Sequence, residues 1–249
     1  MIATGLVAVR LLLVAGLLLL LAPLHLLLDA GRVPPGPVAR LFLKGASALL
    51  GLRWSLDGVA AARPVLLVAN PVGWADILVV GAALEASFVA KREVRSWPLL
   101  GWLAQRHGTL FVDRARRRDA GRQGDELRGR LEAGGSTVLF PEGTTGDGIV
   151  VRPFKPALLA AVEGSDTLVQ PVTIAWIAGR DRVAWIDDTP FGAHAARLLR
   201  GGGAEARILL HPPLRASDFP NRRALADRCR EVVAAGLDGD APACHKAAG

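Results

Sequence analysis

Residues 64–76 read Pro-Val-Leu-Leu-Val-Ala-Asn-Pro-Val-Gly-Trp-Ala-Asp. The run Pro64–Ala69 is apolar without interruption and ends on a turn-forming pair, the pattern of a buried strand. Pro71 restrains Asn70 to extended backbone, which suits a strand end, and is well placed at the first position of a helix. Asp76 then falls near a helix amino terminus, where a carboxylate gains from the dipole. A strand, a polar turn and a helix are thus written into thirteen residues.

The same alternation continues outward. Ser87–Ala90, Thr109–Asp113, Thr137–Phe140 and Leu168–Trp176 read as strands, with Val183–Ile186 and Ala206–Leu210 as weaker ones. Helical patterns lie near 76–85, 95–106, 118–133, 155–163, 191–200 and 218–236, the last opened by Ser217 or Asp218 as a cap. This order predicts an α/β fold: a mixed, largely parallel sheet flanked by helices. Sites in such sheets collect where strands end and helices begin. Asn70–Asp76, Asp113-Arg114 and Pro141–Gly148 are the three polar or glycine-bearing interruptions of that kind.

The chain has 249 residues, 51% of them apolar, and a mean hydropathy of +0.32. Much of that excess sits at the amino end, where residues 11–24 carry no charge and the apolar run reaches Leu28. Its length is enough for a membrane span. A secretory signal is the rival, but Leu28-Asp29-Ala30 is a poor small-x-small cleavage site. Arg32, Arg40, Lys44 and Arg53 follow the run and Arg10 alone precedes it, a bias that places the following domain on the cytoplasmic side. Residues 37–53 form a second helical pattern with Arg40 and Lys44 on one face. It suits either a lipid surface or packing on the domain. Three segments result: an anchor with an amphipathic helix (1–55), an α/β domain (56–238) and a carboxyl tail (239–249).

Net charge is +7, with arginines dense from Arg114 to Arg130. No aromatic-interleaved basic platform or zinc-finger spacing accompanies them, so nucleic acid is not an expected partner. Interspersed Asp119, Asp125 and Glu126 mark a largely solvated helix face. Membrane lipids or a phosphorylated acyl donor fit the remaining positive charge. The two cysteines, Cys229 and Cys244, have no metal-type spacing, and no metal site is expected.

Four blocks carry a resemblance. They are VANPVGWADILVV at 68–80, GTLFVDR at 108–114, FPEGTTGDG at 140–148 and VQPVTI at 169–174. In this order, over Val65 to Pro213, they resemble the lysophospholipid, or 1-acylglycerol-3-phosphate, acyltransferase family. The resemblance implies transfer of a fatty acyl group from acyl-CoA or acyl carrier protein to the hydroxyl of a lysophospholipid of the 1-acylglycerol-3-phosphate type, with no further cofactor. A hydroxyl is a weak nucleophile and needs a positioned base. In the family a histidine five residues before the aspartate takes the proton, and the aspartate orients its ring. Here that position is Pro71, which has no titratable group, so Asp76 stands as the remaining catalytic member. Loss of a general base typically costs about 10²–10⁴ in rate.

The resemblance also makes Arg114, Glu142, Gly143 and Thr144 acceptor-binding residues, with arginine suited to an anionic head group. Thr145-Gly146-Asp147-Gly148 departs from the family's usual Arg or Ser after Glu-Gly-Thr, which opens a lyso-ornithine lipid as acceptor. His107 and His211 are possible substitute bases, whereas His194 falls in a predicted surface helix. Three functions stay open: a lysolipid O-acyltransferase impaired by Pro71, a pseudoenzyme that binds donor or lyso-lipid, and a membrane-anchored scaffold.

Overall fold

The computed structural model describes residues 2–30, 36–96, 100–113, 120–186 and 189–239. Arg114, Trp97 and the tail from residue 240, with Cys244 and His245, lie outside the described residues. The chain begins with helices α1 (Ile2–Ala30) and α2 (Gly36–Leu49) and strand β1 (Leu52–Asp57). It continues through β2 (Val65–Ala69), α3 (Ala75–Ala83), β3 (Ser87–Lys91), α4 (Leu100–Arg106), β4 (Leu110–Val112), α5 (Ala120–Glu132) and β5 (Ser136–Leu139). Then follow β6 (Leu168–Ala178), α6 (Arg180–Val183), α7 (Phe191–Arg200), β7 (Ala204–Leu210), β8 (Leu214–Arg215) and α8 (Arg222–Leu237).

The strands form one sheet in the order β1-β7-β6-β2-β5-β3-β4, with β8 beside β6. All pairings are parallel except β6 with β7 and β6 with β8. This is the expected mixed, largely parallel α/β architecture. Central β2 is buried along its whole length, as its unbroken apolar sequence requires of a strand covered on both faces. Leu67, Ala69, Ile174 and Trp176 face one core with Val79, Val80 and Leu198 from α3 and α7. Leu66, Val68, Leu139 and Val169 face the other with Leu127, Leu225 and Val233 from α5 and α8. β2 and β5 lie side by side in parallel, Val68 opposite Leu139, so the segments leaving them start at one edge of the sheet.

Several local expectations change. The helix expected over 37–53 ends at Leu49, and after Gly51, at φ 76°, the chain turns into β1. The pattern at 95–106 divides into a 3₁₀ turn, Arg92–Ser96, and α4. Between Pro156 and Gly164 there is room only for the 3₁₀ turn Leu158–Ala161, not the helix expected over 155–163. Val183–Ile186 is no strand: Val183 ends α6, and the amide of Trp185 bonds to the Val72 carbonyl at 2.9 Å.

The basic face of α2 also finds a partner within the domain. Arg40 donates to the carbonyls of Ala82 and Ala83, at the carboxyl end of α3. α2 buries Val38, Leu43 and Ala46, so it is packed on the domain. α1 has a half-buried stripe at Val7, Arg10, Val14, Leu17 and Leu21, spaced as one helix face. Val7 and Val14 pack on the core, and Arg10 donates to the Leu199 carbonyl at 2.9 Å rather than reaching outward. Leu12, Leu19 and Leu20, each more than 70% exposed, point away from the domain. Gly5–Leu24 is long and apolar enough to cross a membrane.

Candidate active site

The first polar turn is held by its own carboxylate. Asp76 is buried, and its Oδ2 accepts the backbone N–H of Val72 at 2.6 Å and of Gly73 at 2.8 Å. Its Oδ1 accepts the indole N–H of Trp176 at 2.8 Å. Burial pushes the Asp76 carboxyl up to about 6, against the pull of these three donors. Asp76 therefore has three partners without any histidine. Just upstream, Asn70 extends the ladder past the end of β2, donating to the Ile174 carbonyl and accepting from its amide. Gly73 is a glycine of necessity, since a Cβ there would lie 2.3 Å from the Val183 carbonyl oxygen.

The second loop leaves β5 as Phe140-Pro141-Glu142 and docks on the first. The amide of Gly146 donates to the Pro71 carbonyl at 2.9 Å. Gly143 takes φ 81°, a left-handed turn that favours glycine. Thr144 is exposed, while Thr145 hydroxyl bonds to the Trp185 carbonyl. Asp147 accepts the amides of Ile149 and Val150 and so shapes a tight turn, leaving both apolar side chains exposed.

Glu142 is only 4% exposed, and its Oε2 is, among the described residues, the one buried carboxylate oxygen without a hydrogen-bond partner. Burial pushes its carboxyl up to about 7; the Arg152 amide and charge and the Arg230 charge oppose this, and Asp147 adds to it. The structure thus brings Pro71, Asp76, Glu142 and Gly143 together in two adjoining loops, with Thr144 exposed on the second. Arg114 falls outside the described residues.

None of His107, His194 and His211 offers a base here. His194 is buried, not on a surface helix: its Nδ1 accepts the Trp74 indole N–H at 3.0 Å, so its proton sits on Nε2, facing the Ala184 carbonyl. Burial holds His194 below the usual imidazole range. His211 Nε2 is 2.8 Å from the Thr173 hydroxyl, which donates to the Val233 carbonyl of α8. Thr173 and Trp176 point to opposite faces of β6, which puts His211 on the far side of the sheet from Asp76. His107 Nε2 meets the carbonyl of Ala86, before the start of β3. It thus lies at the opposite end of the parallel strands, on the order of 15 Å from the site edge.

Sequence reading missed two contributors. Trp176 sits 100 residues from the carboxylate it holds, and an apolar strand gives no local sign of that role. Gly146 is visible only as part of an unusual Gly-Asp-Gly run.

A parallel-sheet domain with a strand-end aspartate loop and a Phe-Pro-Glu-Gly-Thr loop on one edge defines a class, and this chain belongs to the acyltransferase family. The family model described as Acyltransferase matches residues 55–175. The chain is similar to the lyso-ornithine lipid O-acyltransferase of Rhodobacter capsulatus, 40% identical over 92% of this chain and 87% of that protein. It is 36% identical to the 1-acyl-sn-glycerol-3-phosphate acyltransferase of Neisseria gonorrhoeae over 53% of each chain. The crystal structure of the 1-acyl-sn-glycerophosphate acyltransferase of Thermotoga maritima shares the fold. Its TM-score is 0.66 at 21% identity, covering 96% of this chain and all of that one.

Proposed function

We propose that this protein is a membrane-associated O-acyltransferase that moves a fatty acyl group from a thioester donor, acyl-CoA or acyl carrier protein, to the hydroxyl of a lyso-ornithine lipid. The carrying observation is the docking of the Glu142 loop on the Pro71 loop through Gly146, which joins two of the family's motif blocks in one site. Two facts favour the ornithine-type acceptor over 1-acylglycerol-3-phosphate. Similarity to a protein of that name runs over nearly the whole chain, whereas the glycerophosphate relative matches about half. The residues after Glu-Gly-Thr form a Gly-Asp-Gly turn instead of supplying an arginine for phosphate.

Pro71 sets the rate. Without an imidazole the chain relies on positioning and on its own carboxylates, and turnover is low for the family. A second reading, a protein that binds lyso-lipid without turning it over, is favoured by the three hydrogen bonds that hold Asp76 in the absence of histidine. The exposed leucines of α1 supply the membrane contact, and the basic residues after it favour a cytoplasmic domain.

The test is an acyl-transfer assay on detergent-purified protein, with lyso-ornithine lipid and 1-acylglycerol-3-phosphate as acceptors and both donor types. Slow esterification of lyso-ornithine lipid is expected. Preference for the phosphate acceptor would overturn the assigned head group, and binding without product would favour the second reading.

A further inference from the structure

A buried carboxylate oxygen without a partner is costly unless something else occupies its lone pairs during function. Glu142 Oε2 is such an atom, and it lies within two contacts of the residue that replaces the expected base. A Cβ built on Gly146 would be 3.7 Å from Glu142 Oε2 and 3.6 Å from the Pro71 carbonyl oxygen, and nothing would be nearer. Gly146 is buried, yet its backbone is outside the left-handed region and its surroundings leave room for a methyl group. Neither backbone geometry nor packing demands a glycine here. Its missing side chain leaves a gap of about one heavy atom, bordered by a free carboxylate oxygen.

We propose that Glu142 is the proton acceptor for the attacking lyso-lipid hydroxyl in this chain, reached through the gap that Gly146 leaves beside Pro71. This rests on the acyl-transfer reading above and names the base which that reading lacks. As the hydroxyl oxygen attacks the carbonyl carbon of the thioester donor, its proton passes to Glu142 Oε2. The new carbon–oxygen ester bond forms, the carbon–sulfur bond breaks, and Glu142 returns the proton to the departing thiolate. The carboxylate is regenerated, and no other reactant is consumed.

The electrostatic setting fits the role. Arg152 and Asp147 from the same segment and Arg230 from α8 are the charged groups acting on Glu142; burial, with Asp147 adding to it, outweighs the two arginines. A carboxyl with an affinity for protons near neutral pH is a stronger base than an ordinary glutamate and still ionises in the working range. His194, His211 and His107 are turned to other partners or lie at other edges of the sheet.

The experiment measures kcat and KM for lyso-ornithine lipid with a long-chain acyl-CoA, using full-length protein in micelles. Glu142→Gln keeps the size and one acceptor oxygen but cannot take the proton. Its kcat is expected to fall about 10²-fold or more, with KM changed by less than about threefold. Wild-type kcat should rise with pH to a plateau above about 7. Adding Pro71→His to Glu142→Gln should recover turnover, which a merely structural glutamate would not allow. Gly146→Ala fills the gap without steric strain and should lower kcat in a folded protein.

Equal kcat in wild type and Glu142→Gln would overturn the proposal and leave the acyl-transfer reading standing. So would a wild type that binds lyso-ornithine lipid and transfers nothing until Pro71→His is introduced. Loss of both binding and turnover in wild type and in Pro71→His would instead bring down the acyl-transfer reading, and this inference with it.

Discussion

The indole N–H of Trp176 donates to Oδ1 of Asp76 at 2.8 Å, joining the turn after central β2 to the distal half of β6. Together with the amides of Val72 and Gly73 it turns a catalytic-type aspartate into the organiser of its own loop. Trp176→Phe removes this donor and keeps most of the ring volume. Unfolding stability should drop by about 1–3 kcal/mol, the cost of an unpaired buried acceptor. Denaturant titration checks this, and an unchanged midpoint would show that the contact contributes nothing.

Pro71→His should raise acyl transfer in kcat, by less than the roughly 10²–10⁴ of a whole general base because Glu142 already takes the proton. Asp76 retains acceptor capacity on Oδ1, which takes a single donor, so an imidazole at 71 has a carboxylate to orient it. The gain should vanish in Pro71→His with Asp76→Ala. A steady-state assay of the two variants decides it; no gain in Pro71→His means the loop cannot present an imidazole.

The pH dependence of stability follows from the two raised carboxyls. Folding lifts Asp76 from 3.8 to about 6 and Glu142 from 4.5 to about 7. The folded chain therefore holds these protons more tightly than the unfolded chain. Their stabilising contribution is complete below the unfolded values and is lost as pH rises through the folded ones. The stability difference between wild type and Glu142→Gln should shift against wild type between pH 4.5 and about 7. Thermal melts across that window test it, and a difference that is flat or moves the other way refutes it.

Membrane attachment should depend on the outward face of α1. Leu12, Leu19 and Leu20 are 71%, 75% and 73% exposed, whereas Val7 and Val14 pack on the domain. Replacing the three leucines with glutamate places charges where lipid contact is expected and leaves the packed stripe intact. The variant should move from the membrane pellet to the supernatant while keeping its fold. Removing residues 1–35 is a poorer test, because it also uncovers core surface. A triple variant that still sediments with membranes would shift the attachment elsewhere.

Arg114→Ala should weaken lyso-ornithine lipid binding about tenfold, the scale of one charge-assisted contact. Salt should weaken the wild type more than the variant. Equal affinities in folded proteins would remove Arg114 from the acceptor site.

The amino-acid sequence determined the layers and the order of the motifs. Continuous apolar runs such as Val65–Ala69 must be buried on both faces, and the turn residues after them mark a single edge of a parallel sheet. The absence of a histidine five residues before Asp76 was also plain, because Pro71 stands there and local spacing is all that reading needs. Helix ends were less legible: Gly51 turns the chain into β1 where the apolar pattern ran on. Which donors reach Asp76, which side of the sheet holds His211, and which carboxylate oxygen has no partner depended on strand order. β6 lies beside β2 although about 100 residues separate them, and that neighbour brings Trp176 to Asp76. Burial then gave Asp76 and Glu142 their raised proton affinities, since desolvation is a property of the assembled core and of no residue alone.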